Sequence, residues 1–425
     1  MYMNDVLDYQ AQHHLRQMIR RLPVADRYQL RNISSCGQKI IKRVGAVNGV
    51  YLMSDGEHSK FIGQAHCDNP FCCPICSAKV MEKYRSEIAS AIDMFASKGY
   101  VGFMVTFTIP HLKFMKCRET TDILYDTWTY CRSTAKSTSN RTHGYNAFRE
   151  FLSDLDIKHY VRVCEYTYSD KNGWHPHFHC LFWTKACNKD KVLDYEKKLG
   201  EFWFKQAERV TLKYWNANKL HEDREIMCKR LFDFSRGINN GVTISKKKDG
   251  TLMEAESSSY LTGWTADKEV TGNFKRKASH DGHYTPYQIL LMAYNDKHWE
   301  NVYMDFCLSV TRKPVHHRLN FSKTGVRAMI KEYRKTEGYK SSMLVKKTTS
   351  WETVAFFDEK SWLELLCLNE SAPVLSNILF LAISHRELLY EYLENLGFER
   401  RRISPNRAEH IRRQCYAVEE MFNAA

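Results

Sequence analysis

The sequence predicts an α+β protein in which an antiparallel β-sheet packs against helices. Residues 101–109 are near-continuously apolar and β-rich, which is typical of an interior strand. Residues 160–168 and 174–183 are also β-rich, and the five residues between them, Ser-Asp-Lys-Asn-Gly, predict a hairpin turn. Apolar residues recur at helical spacing over residues 78–95 and again from His280 onward. These strands and helices together indicate the α+β class.

Length and composition limit the possible classes of protein. At 425 residues the chain is long enough for two or three domains, and its 14 cysteines are too few for a disulfide scaffold. Lys and Arg number 63 against 49 Asp and Glu, and the net charge of +14 favours a polyanionic partner such as nucleic acid. The longest apolar run, near residues 374–383, falls short of the roughly 20 residues of a membrane span, and the first residues do not resemble a signal peptide. We therefore expect a cytoplasmic protein with no membrane partner, in which clustered cysteines indicate metal binding.

The remaining segments are predicted in chain order. Residues 1–35 carry apolar side chains at helical spacing and form a helical lead-in. Residues 36–76 are irregular and contain Gly, Asn and Cys, so this small module needs a further stabilising element. Residues 241–245 form a short strand, and a lysine run separates it from a helix over residues 251–268. Residues 346–425 are predicted to be helical.

A cluster of cysteines in residues 67–76 predicts a structural metal site. Its Cys-Pro-Ile-Cys turn has the spacing that lets two thiolates reach one tetrahedral ion. Thiolates bind Zn²⁺ at about 2.3 Å, and the ion would contribute folding free energy to a segment that lacks a core. The alternative interpretation is a buried thiol cluster without metal, and the unclustered cysteines, such as Cys164 and Cys307, are predicted to be core residues. The predicted Zn²⁺ ligands are Cys36, Cys67, Cys73 and Cys76, with Cys72 or His66 as alternatives for one of them.

A second candidate metal site lies in the predicted hairpin. Side chains alternate along a strand, so His177 and His179 point to the same face and can share an ion. If residues 169–173 form the loop, the ladder places Glu165 opposite His177, with Cβ atoms about 4.5–5.5 Å apart. Two imidazoles and one carboxylate suit a divalent ion that also binds a substrate oxygen, and His175 is the alternative third ligand. Structural or surface histidines are the alternative interpretation.

Several motifs follow one another along the chain in a distinctive order. They are Cys-Gly at 36–37, Cys-Pro-Ile-Cys at 73–76, Val-Thr-Phe-Thr-Ile-Pro at 105–110, the strand with Glu165, Trp-His-Pro-His-Phe-His at 174–179, Tyr-Thr-Pro-Tyr-Gln-Ile-Leu at 284–290 and Asn-Phe-Ser-Lys-Thr-Gly at 320–325. In this order the chain resembles the HUH-type replication initiators of rolling-circle plasmids, in their branch with a zinc module and a single catalytic tyrosine. The cysteine and histidine motifs are specific in combination, and the resemblance covers about residues 36–330.

The resemblance implies a tyrosine nucleophile with a glutamate four residues before it. Glu256 and Tyr260 have this spacing, and on a helix such residues lie on one face. Tyr260 would form a 5′-phosphotyrosyl link to DNA, with Mn²⁺ or Mg²⁺ polarising the phosphate, and Glu256 would later activate water. Tyr284 and Tyr287 are alternative nucleophiles, and Glu254 is an alternative to Glu256.

Basic residues on either side of the candidate nucleophile predict contacts with DNA. The family commonly carries a lysine three residues after the tyrosine, where this chain has Gly263, and Lys268 could take its place. Runs of lysine and arginine would bind phosphates with an affinity that weakens as salt rises, although such runs are also common on solvated surfaces. The predicted DNA-binding residues are Lys246, Lys247, Lys248, Lys268, Lys275, Arg276 and Lys277.

These predictions divide the chain into four segments. Residues 1–95 hold the N-terminal helix and the zinc-binding module. Residues 96–272 form the endonuclease domain, whose palm-like antiparallel sheet is implied by the resemblance. Residues 273–345 are a helical extension. Residues 346–425 form a C-terminal helical domain that could recognise duplex origin DNA, mediate oligomerisation or bind a host helicase.

The predicted function is a sequence-specific enzyme that nicks and joins single-stranded DNA and so initiates and terminates rolling-circle plasmid replication. The imidazole ligands favour Mn²⁺ over Mg²⁺ as its ion. A rolling-circle transposase uses the same chemistry and is the first alternative. A non-catalytic zinc DNA-binding regulator is the alternative from another class, because it would explain the charge and the cysteines but not the histidine hairpin.

Overall fold

A computed structural model describes residues 4–42, 48–136, 146–233, 241–255, 282–311, 319–322, 325–336, 351–370 and 373–404. The chain forms two compact units. One combines residues 1–78 with residues 345–425, and the other contains residues 79–344. This grouping differs from the four predicted segments, since the two ends of the chain belong to one unit.

The described residues form eight strands, one 3₁₀-helix (Ala186–Lys191) and fifteen α-helices. The strands are β1 (Val50–Ser54), β2 (Ser59–Ile62), β3 (Tyr100–Thr108), β4 (His159–Ser169), β5 (Gly173–Lys185), β6 (Val242–Ile244), β7 (Leu319–Phe321) and β8 (Glu352–Phe357). The helices are α1 (Asn4–Arg20), α2 (Val24–Gln29), α3 (Arg31–Ser34), α4 (Pro74–Ala96), α5 (Cys117–Lys136), α6 (Ala147–Asp154), α7 (Tyr195–Asn218), α8 (Arg224–Leu231), α9 (Pro286–Met292), α10 (Lys297–Thr311), α11 (Val326–Tyr333), α12 (Glu359–Leu368), α13 (Val374–Ser384), α14 (Arg386–Asn395) and α15 (Arg400–Ile403).

The unit of residues 79–344 is built around a five-stranded sheet with the order β6-β3-β5-β4-β7. Every neighbouring pair of strands is antiparallel, which confirms the predicted α+β class with an antiparallel sheet. Strands β4 and β5 form the predicted hairpin. Tyr168 pairs with Trp174 and Glu165 with His177, so the register deduced from the loop length is confirmed.

Strand β3 pairs with the other edge of β5, which makes β5 the central strand of the sheet. In this ladder Thr106 lies opposite His179 and Thr108 lies opposite His177. Residues that are paired across a sheet point to the same face. Thr106 therefore lies beside His179, and Thr108 lies beside His177. The sheet therefore brings three strands together around one group of polar side chains.

Helices α5, α6 and α7 provide the aromatic rings that pack on one face of this sheet. Phe107 of β3 contacts Trp128 of α5 and Trp203 of α7, with ring centroids 5.4 and 4.9 Å apart. Phe178 of β5 lies 5.7 Å from Trp128, and Phe182 lies 5.2 Å from Phe151 of α6. Three of these four pairs are edge-to-face, an arrangement that contributes about 0.5–1.5 kcal/mol per pair beyond the area that it buries. This packing fixes which face of β5 is apolar and leaves the histidines on the other face.

The opposite face of the sheet packs against α4 and α11 over part of its length. Met104, Val161, Leu181 and Trp183 of the strands are buried there against apolar residues of these helices. On the same face, the positions next to these apolar residues along β3, β4 and β5 are polar. Those positions are occupied by Thr106, Thr108, Glu165, His177 and His179.

The unit that joins the two ends of the chain contains a three-stranded antiparallel sheet with the order β2-β1-β8. Phe61 of β2 packs against Trp362 and Phe357, with ring centroids 5.4 and 6.5 Å apart. The prediction of an irregular segment over residues 36–76 is wrong for β1 and β2. The prediction that residues 346–425 are helical is likewise wrong for β8, which is a strand because it pairs with β1.

Residues 251–255 are extended and not helical. Leu252 forms a β-bridge with Lys246, and Glu254 forms one with Phe103 of β3. The amide of Ala255 donates to the carbonyl of Gly102 at 2.7 Å. The predicted helix over residues 251–268 is therefore wrong for its first five residues, because they pair with a strand edge, and its remainder lies outside the described residues.

Candidate functional site

Glu165, His177 and His179 converge on one point of the sheet. The Nε2 atoms of His177 and His179 lie 3.2 and 2.7 Å from the same carboxylate oxygen of Glu165. One ligand atom of each residue lies within 4.8 Å of the others, so the group could hold a metal ion. The three side chains are only 8–12% exposed, so the site is largely shielded from solvent. The predicted trio is thus brought together by the β4–β5 register.

In both His177 and His179, the nitrogen that does not face Glu165, Nδ1, has a contact of its own. Nδ1 of His179 lies 3.0 Å from the hydroxyl of Thr106, and Nδ1 of His177 lies 3.3 Å from the main-chain oxygen of His175. A carbonyl oxygen can only accept, so Nδ1 of His177 carries the proton. With this proton on Nδ1, His177 can offer the lone pair of Nε2 to a metal ion beside the Glu165 carboxylate. The donor set therefore fits a divalent ion, with the outer contacts that orient metal-binding histidines.

The carboxyl group of Glu165 is ionised in this setting. Burial alone would raise its pKa, but hydrogen bonds from His177 and His179 and their positive charge outweigh burial and hold the pKa well below the usual range. An ionised carboxylate and two imidazole nitrogens are the form of these groups that binds a metal.

His175, the alternative third ligand, stands outside this group. Its Nδ1 lies 2.8 Å from Nε2 of His111, a residue that follows β3 and was not predicted to have a role. Burial, followed by the nearby His177 and His111, lowers the pKa of His175 well below its usual value, and burial lowers the pKa of His111 to about 4. Both rings are therefore neutral at pH 7, so one of them can donate an N–H to the nitrogen lone pair of the other.

The four predicted zinc ligands also come together. The sulfur of Cys36 lies 3.4 Å from that of Cys76 and 3.6 Å from that of Cys73, and the sulfurs of Cys67 and Cys76 are 3.6 Å apart. Four thiolates around Zn²⁺ at about 2.3 Å would have sulfur atoms about 3.8 Å apart, close to these distances. None of the described cysteines forms a disulfide, so no disulfide competes for these sulfur atoms. The group could hold a metal ion.

The two alternative zinc ligands differ in their positions. Cys72 donates its thiol to the side-chain oxygen of Asn69 at 3.3 Å and is not part of the four-sulfur group. Nδ1 of His66 lies 3.7 Å from the sulfur of Cys36, next to the group. Helix α1 supplies outer contacts, since Arg16 donates to the main-chain oxygen of Cys36 and the Cys73 thiol lies 3.5 Å from Gln12. The remaining predictions hold for Cys164 and Cys307, which are fully buried core residues.

The candidate nucleophile and its glutamate, Tyr260 and Glu256, lie outside the described residues. The two alternative nucleophiles are described. Tyr287 is buried in α9 with 1% exposure. Tyr284 pairs with Tyr168 through the main chain, and both rings contact Trp299, at 5.0 and 5.9 Å. Tyr168 belongs to the face of β4 opposite to Glu165, so the ring of Tyr284 lies on the far side of the sheet from the histidines.

The basic residues are partly described. Lys246 forms an ion pair with Glu196 of α7, whereas Lys247 and Lys248 are exposed in the turn that follows β6. Lys268, Lys275, Arg276 and Lys277 lie outside the described residues. Glu254, the alternative general base, pairs with Lys189 at 3.2 Å. Its bridge partner Phe103 is three residues from Thr106, or about 10 Å along the strand, which separates Glu254 from the histidines.

Sequence reasoning missed two residues that surround the histidines, Thr106 and His111. Thr106 lies in the Val-Thr-Phe-Thr-Ile-Pro motif, which was used only for the resemblance. A polar residue inside an otherwise apolar interior strand was the available signal, because such a side chain needs a partner when it is buried. His111 directly follows the same motif and offered no comparable signal.

Comparisons with known proteins give one partial likeness. The chain is 28% identical over 138 residues to a protein named Protein rep from Streptomyces lividans. The match covers 29% of this chain and 30% of that protein, so the chain spans less than a third of the curated relative that it matches. No protein-family model and no solved structure matches the chain. Within the described residues, no helix has both the length and the apolar character needed to cross a bilayer.

Proposed function

We propose that this chain is a metal-dependent enzyme that nicks and rejoins single-stranded DNA at a replication origin and thereby initiates and terminates rolling-circle replication. The observation that carries the proposal is the convergence of Glu165, His177 and His179 on one point of an antiparallel sheet. The partial likeness to Protein rep supports a role in replication, and the net charge of +14 supports a DNA partner.

Glu165, His177 and His179 would hold the divalent ion, and the four cysteines would hold a structural Zn²⁺. When bound, the divalent ion polarises a phosphoryl oxygen and stabilises the negative charge that develops during phosphoryl transfer. A phenol has a pKa near 10 and is a weak nucleophile, so attack by Tyr260 depends on such stabilisation. Either Mn²⁺ or Mg²⁺ supplies this chemistry, and the imidazole ligands favour Mn²⁺.

In the proposed reaction the phenolic oxygen of Tyr260 forms a bond to the scissile phosphorus, and the bond from phosphorus to the 3′ oxygen breaks. The proton lost by the phenol balances the one gained by the departing 3′-hydroxyl. The 5′ phosphate remains attached to Tyr260. At the end of the cycle, Glu256 takes a proton from water, which hydrolyses the phosphotyrosyl bond.

DNA would be held by the exposed lysines Lys247 and Lys248 and by the basic residues on the C-terminal side of Tyr260. Lys246 is a weaker candidate than its neighbours because Glu196 already neutralises its charge. Contacts of this type bind phosphates without reading the sequence, so they orient the strand at the metal site.

The test is covalent capture of DNA. The full chain is incubated with Mn²⁺ and a pool of single strands that tile the DNA molecule carrying this gene, each labelled at its 3′ end. We expect a labelled protein band, because the 3′ fragment stays joined to the enzyme through its 5′ phosphate. Tyr260→Phe should abolish the band, and the matched control Tyr284→Phe, which also loses one hydroxyl, should keep it.

The other outcomes reassign the function. If Tyr284→Phe abolishes the adduct and Tyr260→Phe retains it, the nucleophile is Tyr284. If the wild-type chain binds the strands but forms no adduct with Mn²⁺ or Mg²⁺, the chain is a DNA-binding regulator and not a nickase. Glu256→Ala should form the adduct at a normal rate but fail to release it, and normal release would refute the role of Glu256.

A further inference from the structure

His175 lies on the same face of β5 as the candidate metal ligands His177 and His179. The ring of His175 extends their row of imidazoles. The ring centroids of His175 and His177 are 5.3 Å apart in a stacked arrangement with planes at 30°. The centroids of His175 and His111 are 5.0 Å apart, and their nearest nitrogens are 2.8 Å apart. His111, which follows β3, therefore contacts the ring of His175, and the ring of His175 contacts the candidate metal ligand His177.

His177 depends on His175 in two ways. Its Nδ1 donates to the main-chain oxygen of His175, and one face of its ring rests on the ring of His175. These contacts leave Nε2 of His177 aimed at Glu165. If the His175 ring rotated, the ring of His177 would lose its support on that face, whereas Thr106 holds His179 independently.

We propose that His111 is a positioning residue for the metal centre, which fixes His175 through an imidazole–imidazole hydrogen bond and so holds His177 in its metal-binding orientation. The proposal rests on the proposed function, in which Glu165, His177 and His179 hold a divalent ion. His111 itself does not touch the ion. Residues that orient metal ligands from outside typically change metal affinity about 10- to 100-fold when removed.

The hydrogen bond makes a specific rescue possible. One of the two rings donates an N–H and the other accepts it. A glutamine side chain offers both a donor and an acceptor on a flexible stem, so it can replace the His111 ring in either role. Alanine offers neither. The comparison of His111→Gln with His111→Ala therefore separates the hydrogen bond from the bulk of the side chain.

The experiment measures Mn²⁺ affinity of the full chain by calorimetry, in the absence of DNA. We expect His111→Ala to weaken Mn²⁺ binding about 10- to 100-fold and His111→Gln to stay close to wild type. The matched control is His298→Ala, which removes an imidazole that is 53% exposed and bonded to Asp170 at the tip of the hairpin. This control should bind Mn²⁺ like wild type. His177→Ala should abolish binding.

The variants separate the inference from the proposed function. If wild type binds Mn²⁺ and His177→Ala does not, the metal centre stands. In that case, wild-type affinity in His111→Ala overturns the positioning role, as does an equal loss in His111→Ala and His111→Gln. If wild type and His177→Ala bind Mn²⁺ equally, the metal assignment itself fails and the inference fails with it.

Discussion

The two imidazoles of the candidate metal site, His177 and His179, are held by different parts of the sheet. Nδ1 of His179 faces the hydroxyl of Thr106 on β3, while Nδ1 of His177 faces a main-chain oxygen of its own strand. At this scale the sequence predicted the candidate ligands but not the residues that contact them. The candidate ligands follow from alternation along one hairpin, whereas Thr106 is far from His179 in sequence and meets it only through the β3–β5 pairing.

Thr106→Val tests the support of His179. Valine has nearly the same shape as threonine but lacks the hydroxyl, so the orientation of the His179 ring is no longer fixed by a polar contact. We expect Mn²⁺ affinity to fall about tenfold, as measured by calorimetry. Thr106→Ser keeps the hydroxyl and should stay near wild type. Equal affinities for Thr106→Val and wild type would show that the contact has no role.

Glu165→Gln tests the charge at the centre of the group. Hydrogen bonds and positive charge from His177 and His179 lower the pKa of Glu165 despite its burial. A lowered folded-state pKa stabilises the fold above the unfolded pKa of about 4.3, and this stabilisation disappears as pH falls below that value. Without added divalent ions, the urea midpoint of wild type should exceed that of Glu165→Gln near pH 7, and the gap should narrow toward about pH 3. A gap that is independent of pH would contradict this.

At the scale of elements, the β4–β5 hairpin was predictable because its turn is short. Only residues 170–172 connect the two strands, so the register is fixed, and the register decides which side chains face each other. Strands β1, β2 and β8 were not predictable in the same way. Each is six residues or fewer, and β8 is a strand because of its pairing with β1 from the other end of the chain. Local patterns carry little information about such distant pairs.

Gly173→Ala tests the turn that presents the histidines. Gly173 has φ +78°, and an added Cβ would lie 2.6 Å from the main-chain oxygen of Lys113. Gly250 has a similar φ of +83°, with no described atom within 4 Å of an added Cβ. The positive φ costs an alanine about 1–2 kcal/mol at either position. Urea unfolding should therefore show a larger loss of stability for Gly173→Ala than for Gly250→Ala, and equal losses would contradict the close contact.

At the scale of the whole molecule, the four-cysteine group belongs to the unit that combines both ends of the chain. The sequence pattern indicated these candidate ligands because three of the cysteines lie within ten residues, and the structure brings Cys36 to the same group. It did not predict that residues 345–425 belong to the same unit, because the pairing of β8 with β1 is not visible in local patterns.

The zinc prediction is tested by two neighbouring cysteines. Cys73→Ser removes a sulfur from the four-atom group, so the purified chain should lose its zinc and unfold at a lower temperature. Cys72→Ser makes the same chemical change at the adjacent residue, whose thiol bonds to Asn69, and should retain one zinc per chain. Metal content is measured by elemental analysis. Loss of zinc in Cys72→Ser but not in Cys73→Ser would show that Cys72, and not Cys73, is the zinc ligand.

Binding of a divalent ion by Glu165, His177 and His179 is tested most directly by anomalous X-ray scattering from crystals of the full chain soaked in Mn²⁺. We predict an anomalous peak about 2.0–2.3 Å from Nε2 of His177, Nε2 of His179 and a carboxylate oxygen of Glu165. No peak at that position, with both Nε2 atoms still hydrogen-bonded to Glu165, would contradict the claim.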